Sequence, residues 1–294
     1  MWSLIHADKH YRFDHVAVTS VQLDGRTYRV DDAPAPRADG VHFGQDFADP
    51  GDVTLTLLLT FQNIRNLSMQ REMLREAAYA FLAAWDAPEL RRAPGSVGEL
   101  IIPSIGMLEG RPRRAEWDWS TYGLGYLIGT ATFVRSSLDT YVLDSTGYAP
   151  WQSATLRLVP SQVGGLKAPL KTPLRTSVES TRASTVDVGG DAEAWPVLDL
   201  TGPIQSDAQL LIHGRWRLYL NRPLNQFQTA QIDTRPGRRA TYLNGVPVQL
   251  LDPRSSLLGE CSLLPGSNVL SLRGSSIEGT ASVTARWRNT RGAI

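Results

Sequence analysis

The chain has 294 residues, 42% hydrophobic and 20% charged, with 25 glycines and 18 prolines spread along it; this excludes extensive disorder and suits two globular domains of about 100 to 190 residues. Its 30 Lys and Arg against 29 Asp and Glu leave a formal charge of +1, so no global field attracts a polyanion or an anionic bilayer, and a dedicated nucleic-acid binder is disfavoured. The single cysteine, Cys261, excludes a disulfide framework and any multi-cysteine zinc site.

In chain order, Met1-Trp2-Ser3-Leu4-Ile5-His6 has neither a basic leader nor a long apolar run, so neither a secretory signal nor a membrane anchor is expected. A strand over residues 5–11 would put His6, Asp8 and His10 on one face, with Asp14 and His15 close by. Such a set can bind a divalent metal, but a second anchored ligand pair is missing and a solvated strand accounts for it better. Asp24-Gly25 within Gln22–Tyr28 is expected to close a tight hairpin, and Val53–Phe61 alternates as a strong strand entered through Pro50-Gly51.

One long helix is predicted over 68–86, with Leu74, Ala78, Phe81 and Trp85 on one face, Ser68 as its cap and Pro88 as its stop. Strands are expected at Glu99–Ile105, Ala115–Trp119, Tyr126–Val134 and Thr155–Val159, making the first domain α+β. Between 164 and 191 the apolar periodicity disappears and Pro, Gly, Ser and Thr collect, the composition of a connector. The expected division is therefore 1–190 and 191–294.

The second domain reads as all-β, with strands at Val197–Thr201, Gln209–His213, Arg215–Leu220, Ala230–Thr234, Ala240–Leu251, Val269–Arg273 and Ala281–Arg288. Asn244-Gly245 is the strongest hairpin signal in the chain. A two-sheet sandwich follows, and the fold class is mainly β with one long helix packed on antiparallel sheet.

Glu109, Glu116 and Asp118 could serve as paired carboxylates of a hydrolase, but Arg111, Arg113 and Arg114 lie among them and neutralisation is the better reading. No Gly-rich phosphate loop precedes the helix and Cys261 has no motif partner, so no enzymatic activity and no cofactor are expected. Trp216 and Trp287, with Trp195, Tyr219 and Tyr242, are candidates for a sugar-stacking platform, although sandwich cores use the same residues. His213-Gly214-Arg215-Trp216-Arg217 lacks the His-x-Asn-x-Arg pattern of galectins.

The order of these signals resembles the distal tail proteins of siphovirus-type bacteriophages. Gly189-Gly190 through Trp195-Pro196-Val197-Leu198-Asp199-Leu200 is similar to the start of their galectin-like second domain, and Leu264-Pro265-Gly266-Ser267-Asn268 matches a step within it. Ala131-Thr132-Phe133-Val134-Arg135 through Tyr141 and Gly110-Arg111-Pro112-Arg113-Arg114 are similar to first-domain segments of phage minor tail proteins, while Leu138-Asp139-Thr140 departs from the Asp-Pro of many relatives. The resemblance implies a virion structural protein: a homo-oligomeric, usually hexameric ring at the distal end of the tail. A tail tube protein would sit above it, a trimeric tip hub protein below, and phage DNA would pass through. Arg111, Arg113 and Arg114 would then face the lumen or a subunit interface. A carbohydrate-binding receptor module and a cell-wall hydrolase are the alternative readings.

Overall fold

The computed structural model describes all residues except 7–8, 35–38, 40, 65, 159–182, 207, 275, 277–279 and 293–294. The chain divides into two compact units, Met1–Ala149 with Gly292–Ile294, and Pro150–Arg291.

The first unit opens with β1 (Ser3–His6), β2 (Lys9–Arg12) and β3 (Val16–Leu23), followed by the short strands β4 (Thr27–Arg29), β5 (Ala33–Pro34), β6 (Val41–His42) and β7 (Phe47–Asp49). Then come β8 (Val53–Thr60), helix α1 (Leu67–Asp86), a short helix α2 (Pro88–Arg92), β9 (Gly98–Ile102), β10 (Gly106–Asp118), β11 (Tyr126–Arg135) and β12 (Thr140–Tyr141). The main antiparallel sheet runs β2-β1-β9-β10-β11-β8-β3, and β12 pairs with β10.

Period-two patterning decides which face of this sheet is dry. Val53, Leu55, Leu57 and Leu59 of β8 are buried, as are Leu127, Ala131 and Phe133 of β11, while the alternating Thr54, Thr56, Thr130 and Thr132 point the other way. Helix α1 covers the dry face with Leu74, Ala78, Phe81 and Trp85, the four residues expected from its spacing. Phe81 stacks on Trp85 at 5.4 Å and meets Phe13 and Trp117 edge-on at 5.4 and 5.5 Å. Such rings are the largest single contributions to a core, and truncating either costs about 3–5 kcal/mol.

The helix ends differ from expectation. Asn66 is the N-cap, its Oδ1 accepting from the amides of Ser68 (3.0 Å) and Met69 (3.4 Å), and Ser68 lies inside the first turn. Ala87 ends the helix in the left-handed conformation (φ 38°), and Pro88 starts α2 instead of a loop, because proline suits a first helical position.

The second unit contains β13 (Gln152–Arg157), β14 (Ala183–Val188), β15 (Val197–Thr201), β16 (Gln209–Ile212), β17 (Trp216–Tyr219), β18 (Thr229–Asp233), β19 (Ala240–Leu243), β20 (Val246–Pro247), β21 (Gly266–Arg273) and β22 (Ser282–Trp287). Sheet order β13-β22-β15-β18-β19-β20 and sheet order β14-β21-β16-β17 enclose one core that includes Leu198, Ile232, Trp216, Leu272 and Trp287. The Asn244-Gly245 turn joins β19 to β20 with both residues at positive φ (49° and 79°), as its sequence demands. In the Leu264–Asn268 step, the buried Asn268 amide donates to Leu264 O (2.7 Å) and Gly266 O (3.1 Å) and accepts from Leu264 N (3.0 Å), closing the turn.

The division at Ala149/Pro150 falls well ahead of residue 190. β13 pairs along its length with β22, and β14 with β21, so two strands before residue 190 complete the sandwich sheets. Most of the expected connector, 164–191, lies outside the described residues, and its end is strand β14.

Candidate assembly surfaces

Asp24-Gly25 does not reverse the chain. Asp24 N donates to Asp52 O at 2.9 Å, β4 pairs with β7 (Tyr28↔Ala48) and β5 with β6 (Ala33↔His42), so β3 and β8 continue outward as one long two-stranded arm. Gly25 has ordinary negative φ, and the narrow neck depends on Gly51, where a Cβ would stand 1.9 Å from Asp24 O.

Every described residue from Asp24 to Phe47 is exposed. Large apolar groups are among them: Tyr28 (58%), Val30, Val41, Phe43 (86%) and Phe47 (51%). Arg29 binds Asp49 at 2.7 Å and sits 5.9 Å over the Phe47 ring, cross-strand pairs that hold the two strands of the arm together. A two-stranded ribbon without a covered face is marginal in water. Between residues 24 and 52 there are seven aspartates against three arginines.

Charge also separates between the units. Of the 30 Lys and Arg, 14 fall in residues 1–149 and 16 in 150–291; of the 29 Asp and Glu, 19 fall in the first range and 10 in the second. The first unit is thus formally acidic and the second basic, although the whole chain is close to neutral.

The outer face of the first unit's sheet is rich in hydroxyls, with Thr54, Thr56 and Thr60 of β8 beside Thr130 and Thr132 of β11. A bulge in β10 between Pro112 and Ala115 accommodates Arg113 and Arg114. Both are exposed, and Arg114 pairs with Glu116 at 2.6 Å. Arg111 instead donates to Ser96 O (2.6 Å) and Ala93 O (2.8 Å) and pins the turn before β9.

The three candidate hydrolase carboxylates do not converge. Glu109 is buried, Glu116 pairs with Arg114, and Asp118 caps the 3-10 turn Trp119–Leu124, where hydrogen bonds from Ser120 hold its carboxyl below the usual range. The histidine set separates as well. The β1–β2 hairpin pairs His6 with Lys9 and His10 with Ile5, which puts His6 and His10 on opposite faces, and Asp8 lies outside the described residues. His6 is buried with Nε2 3.1 Å from Ala84 O, while the His10 ring meets Tyr148 edge-on at 5.8 Å. Among the described residues no three His, Cys, Asp or Glu side chains group as metal ligands, and no helix is long and apolar enough to cross a membrane.

Trp216 and Trp287 are core residues, 2% and 4% exposed, and Trp216 Nε1 donates to Ser262 O at 2.8 Å. Neither ring offers a face to a sugar. Trp151, which does reach the surface of this unit, has the guanidinium carbons of Arg288, Arg235 and Arg286 at 4.6, 5.5 and 5.7 Å from its centroid. Trp151 precedes β13, and only the pairing of β13 with β22 reveals its neighbours.

No protein-family model and no curated protein matches the chain. Among solved structures, the crystal structure of the SPP1 Dit protein, a paradigm of the hub adsorption apparatus in phages infecting Gram-positive bacteria, aligns with a TM-score of 0.55 and 10% identity, covering 99% of each chain. Two structures of the phage P2 baseplate in its activated conformation, with Ca and with Sr, align with TM-scores of 0.48 over 97% of each chain, at 10% and 11% identity. The fold of this chain is that of the SPP1 Dit hub protein.

Proposed function

We propose that the chain is a distal tail protein of a siphovirus-type phage, a non-enzymatic ring that joins the tail tube to the tip hub and leaves a channel for the genome. The observation that carries this reading is the arm: a ribbon whose described residues from Asp24 to Phe47 are all exposed, three aromatic rings among them, calls for a protein partner. The hub role of SPP1 Dit supports the same reading at the level of fold.

In a closed ring each copy uses two different patches, and the arm of one copy lies on a different surface of the next. The open edges at β2 and β3 give a second contact, because unpaired strand edges accept strands. The threonine-rich sheet face then lines the channel, with Arg113 and Arg114 beside it. Hydroxyls with few unpaired cations suit DNA transit, since tight phosphate contact would arrest it. The tube protein above and a trimeric hub below complete the assembly. The second units are galectin-like sandwiches.

Native mass spectrometry tests this. A six-membered ring of 32.4 kDa chains has a mass of 6 × 32.4 = 194.4 kDa. A species of 32.4 kDa alone, persisting when tube and hub proteins are added, refutes the reading.

A further inference from the structure

On the outer face of the larger sandwich sheet, strand register places five side chains in one row across five strands: Thr155 opposite Thr284, Thr284 opposite Asp199, Asp199 opposite Gln231, and Gln231 opposite Tyr242. The row is hydrogen-bonded sideways. Thr155 and Thr284 hydroxyls are 3.0 Å apart, and Gln231 Nε2 donates to Asp199 Oδ1 at 2.8 Å. Arg286 Nε donates to Asp199 Oδ2 at 2.7 Å, so the one carboxylate of the row is balanced by a guanidinium.

From Asp199 to its Tyr242 end, this row opens into a depression of about 470 Å³ that reaches Thr201, Thr229 and the Gly245 turn, with Tyr242 as its aromatic wall. All five row residues are at least partly exposed, and Tyr242 Oη has no hydrogen bond among the described residues.

These groups select a ligand class. A protein partner would need large apolar anchors, and the outward side chains of this row supply one phenol and no aliphatic group. An anion would have to displace Asp199 from Arg286, and a metal would find one carboxylate where several are needed. A neutral sugar fits: its C–H face packs on an aromatic ring, and its hydroxyls need acceptors and donors fixed by neighbours. Each Asp199 oxygen accepts one protein hydrogen bond and has a lone pair left, and the Gln231 amide oxygen is an acceptor held in place by the bond its nitrogen makes.

We infer that this face binds a neutral oligosaccharide, with a sugar ring on Tyr242 and hydroxyls on Asp199 and Gln231. The inference is independent of ring assembly, and it moves sugar recognition from the buried Trp216 and Trp287 to residues spread over three strands.

The test uses the fluorescently labelled full chain on an array of immobilised neutral hexose and N-acetylhexosamine oligosaccharides, with sulfated and sialylated counterparts. Saturable binding to at least one neutral oligosaccharide is expected, weakened roughly tenfold or more by Gln231→Ala and by Tyr242→Ala. Thermal melting checks that both variants fold; Tyr242→Phe keeps the ring and should lose only part of the binding, which covers a failure of the alanine variant. No binding to any neutral oligosaccharide, binding confined to the charged ones, or binding that both Gln231→Ala and Tyr242→Phe leave unchanged would overturn it.

Discussion

Three residues show how local chemistry sets stability here. Ala87 is buried and holds φ 38°, a conformation that costs an L-residue about 1–2 kcal/mol and glycine almost nothing. Ala87→Gly should therefore stabilise the first unit by up to about 1 kcal/mol, less what the lost methyl contributed, and raise its melting temperature by about 2–4 °C. Cys261 is buried, which pushes its thiol up from 9.0 to about 12. The native chain should resist an aromatic disulfide reagent at pH 8 and react once unfolded, as thiol titration with and without denaturant would show. Because the folded state binds this proton more tightly, the contribution is complete below the unfolded pKa of 9.0 and is lost as pH rises toward about 12; Cys261→Ala should flatten that alkaline slope in urea titrations. Trp216→Ala should destabilise the second unit by about 3–5 kcal/mol, since it removes a core ring and leaves Ser262 O without the indole donor.

At the scale of elements, what the sequence made legible is what periodicity records. The alternation in β8 and β22 and the spacing of Leu74, Ala78, Phe81 and Trp85 each follow from one face meeting a core, and all are present as expected. The arm was not legible, because the partner of residues 24–29 lies at 47–52, and Asp24-Gly25 alone looks like a turn until that long-range pairing is known. A signal for it did exist: seven aspartates and several exposed aromatics without periodicity between two strong strands. Likewise the sequence alone puts β13 in the first domain and β14 in the connector, since strand order in a sandwich does not follow chain order. The carbohydrate row is invisible in sequence because its members are brought together only by register.

Two predictions belong to this scale. Limited proteolysis of the free chain should cut first between residues 24 and 47, and assembly should protect that segment, since an uncovered ribbon opens easily. Phe43→Ser with Phe47→Ser should leave melting within about 2 °C of the parent, because both side chains are exposed, yet abolish self-association measured by native mass.

For the whole molecule, separation of charge between an acidic first unit and a basic second one gives unlike surfaces for head-to-tail contact while the net charge stays at +1. Raising salt from about 0.05 to 0.5 M should shift the assembly toward 32.4 kDa, a trend that apolar contact alone would not produce. The central claim is that the arm finds its missing buried face on a neighbouring copy. Single-particle imaging of the assembled protein at side-chain resolution tests it most directly: the account predicts a closed ring with Phe43 and Phe47 covered by the adjacent copy and threonines of β8 and β11 facing the channel. A ring in which the arm stands free in solvent, or copies stacked into an open filament, would contradict it.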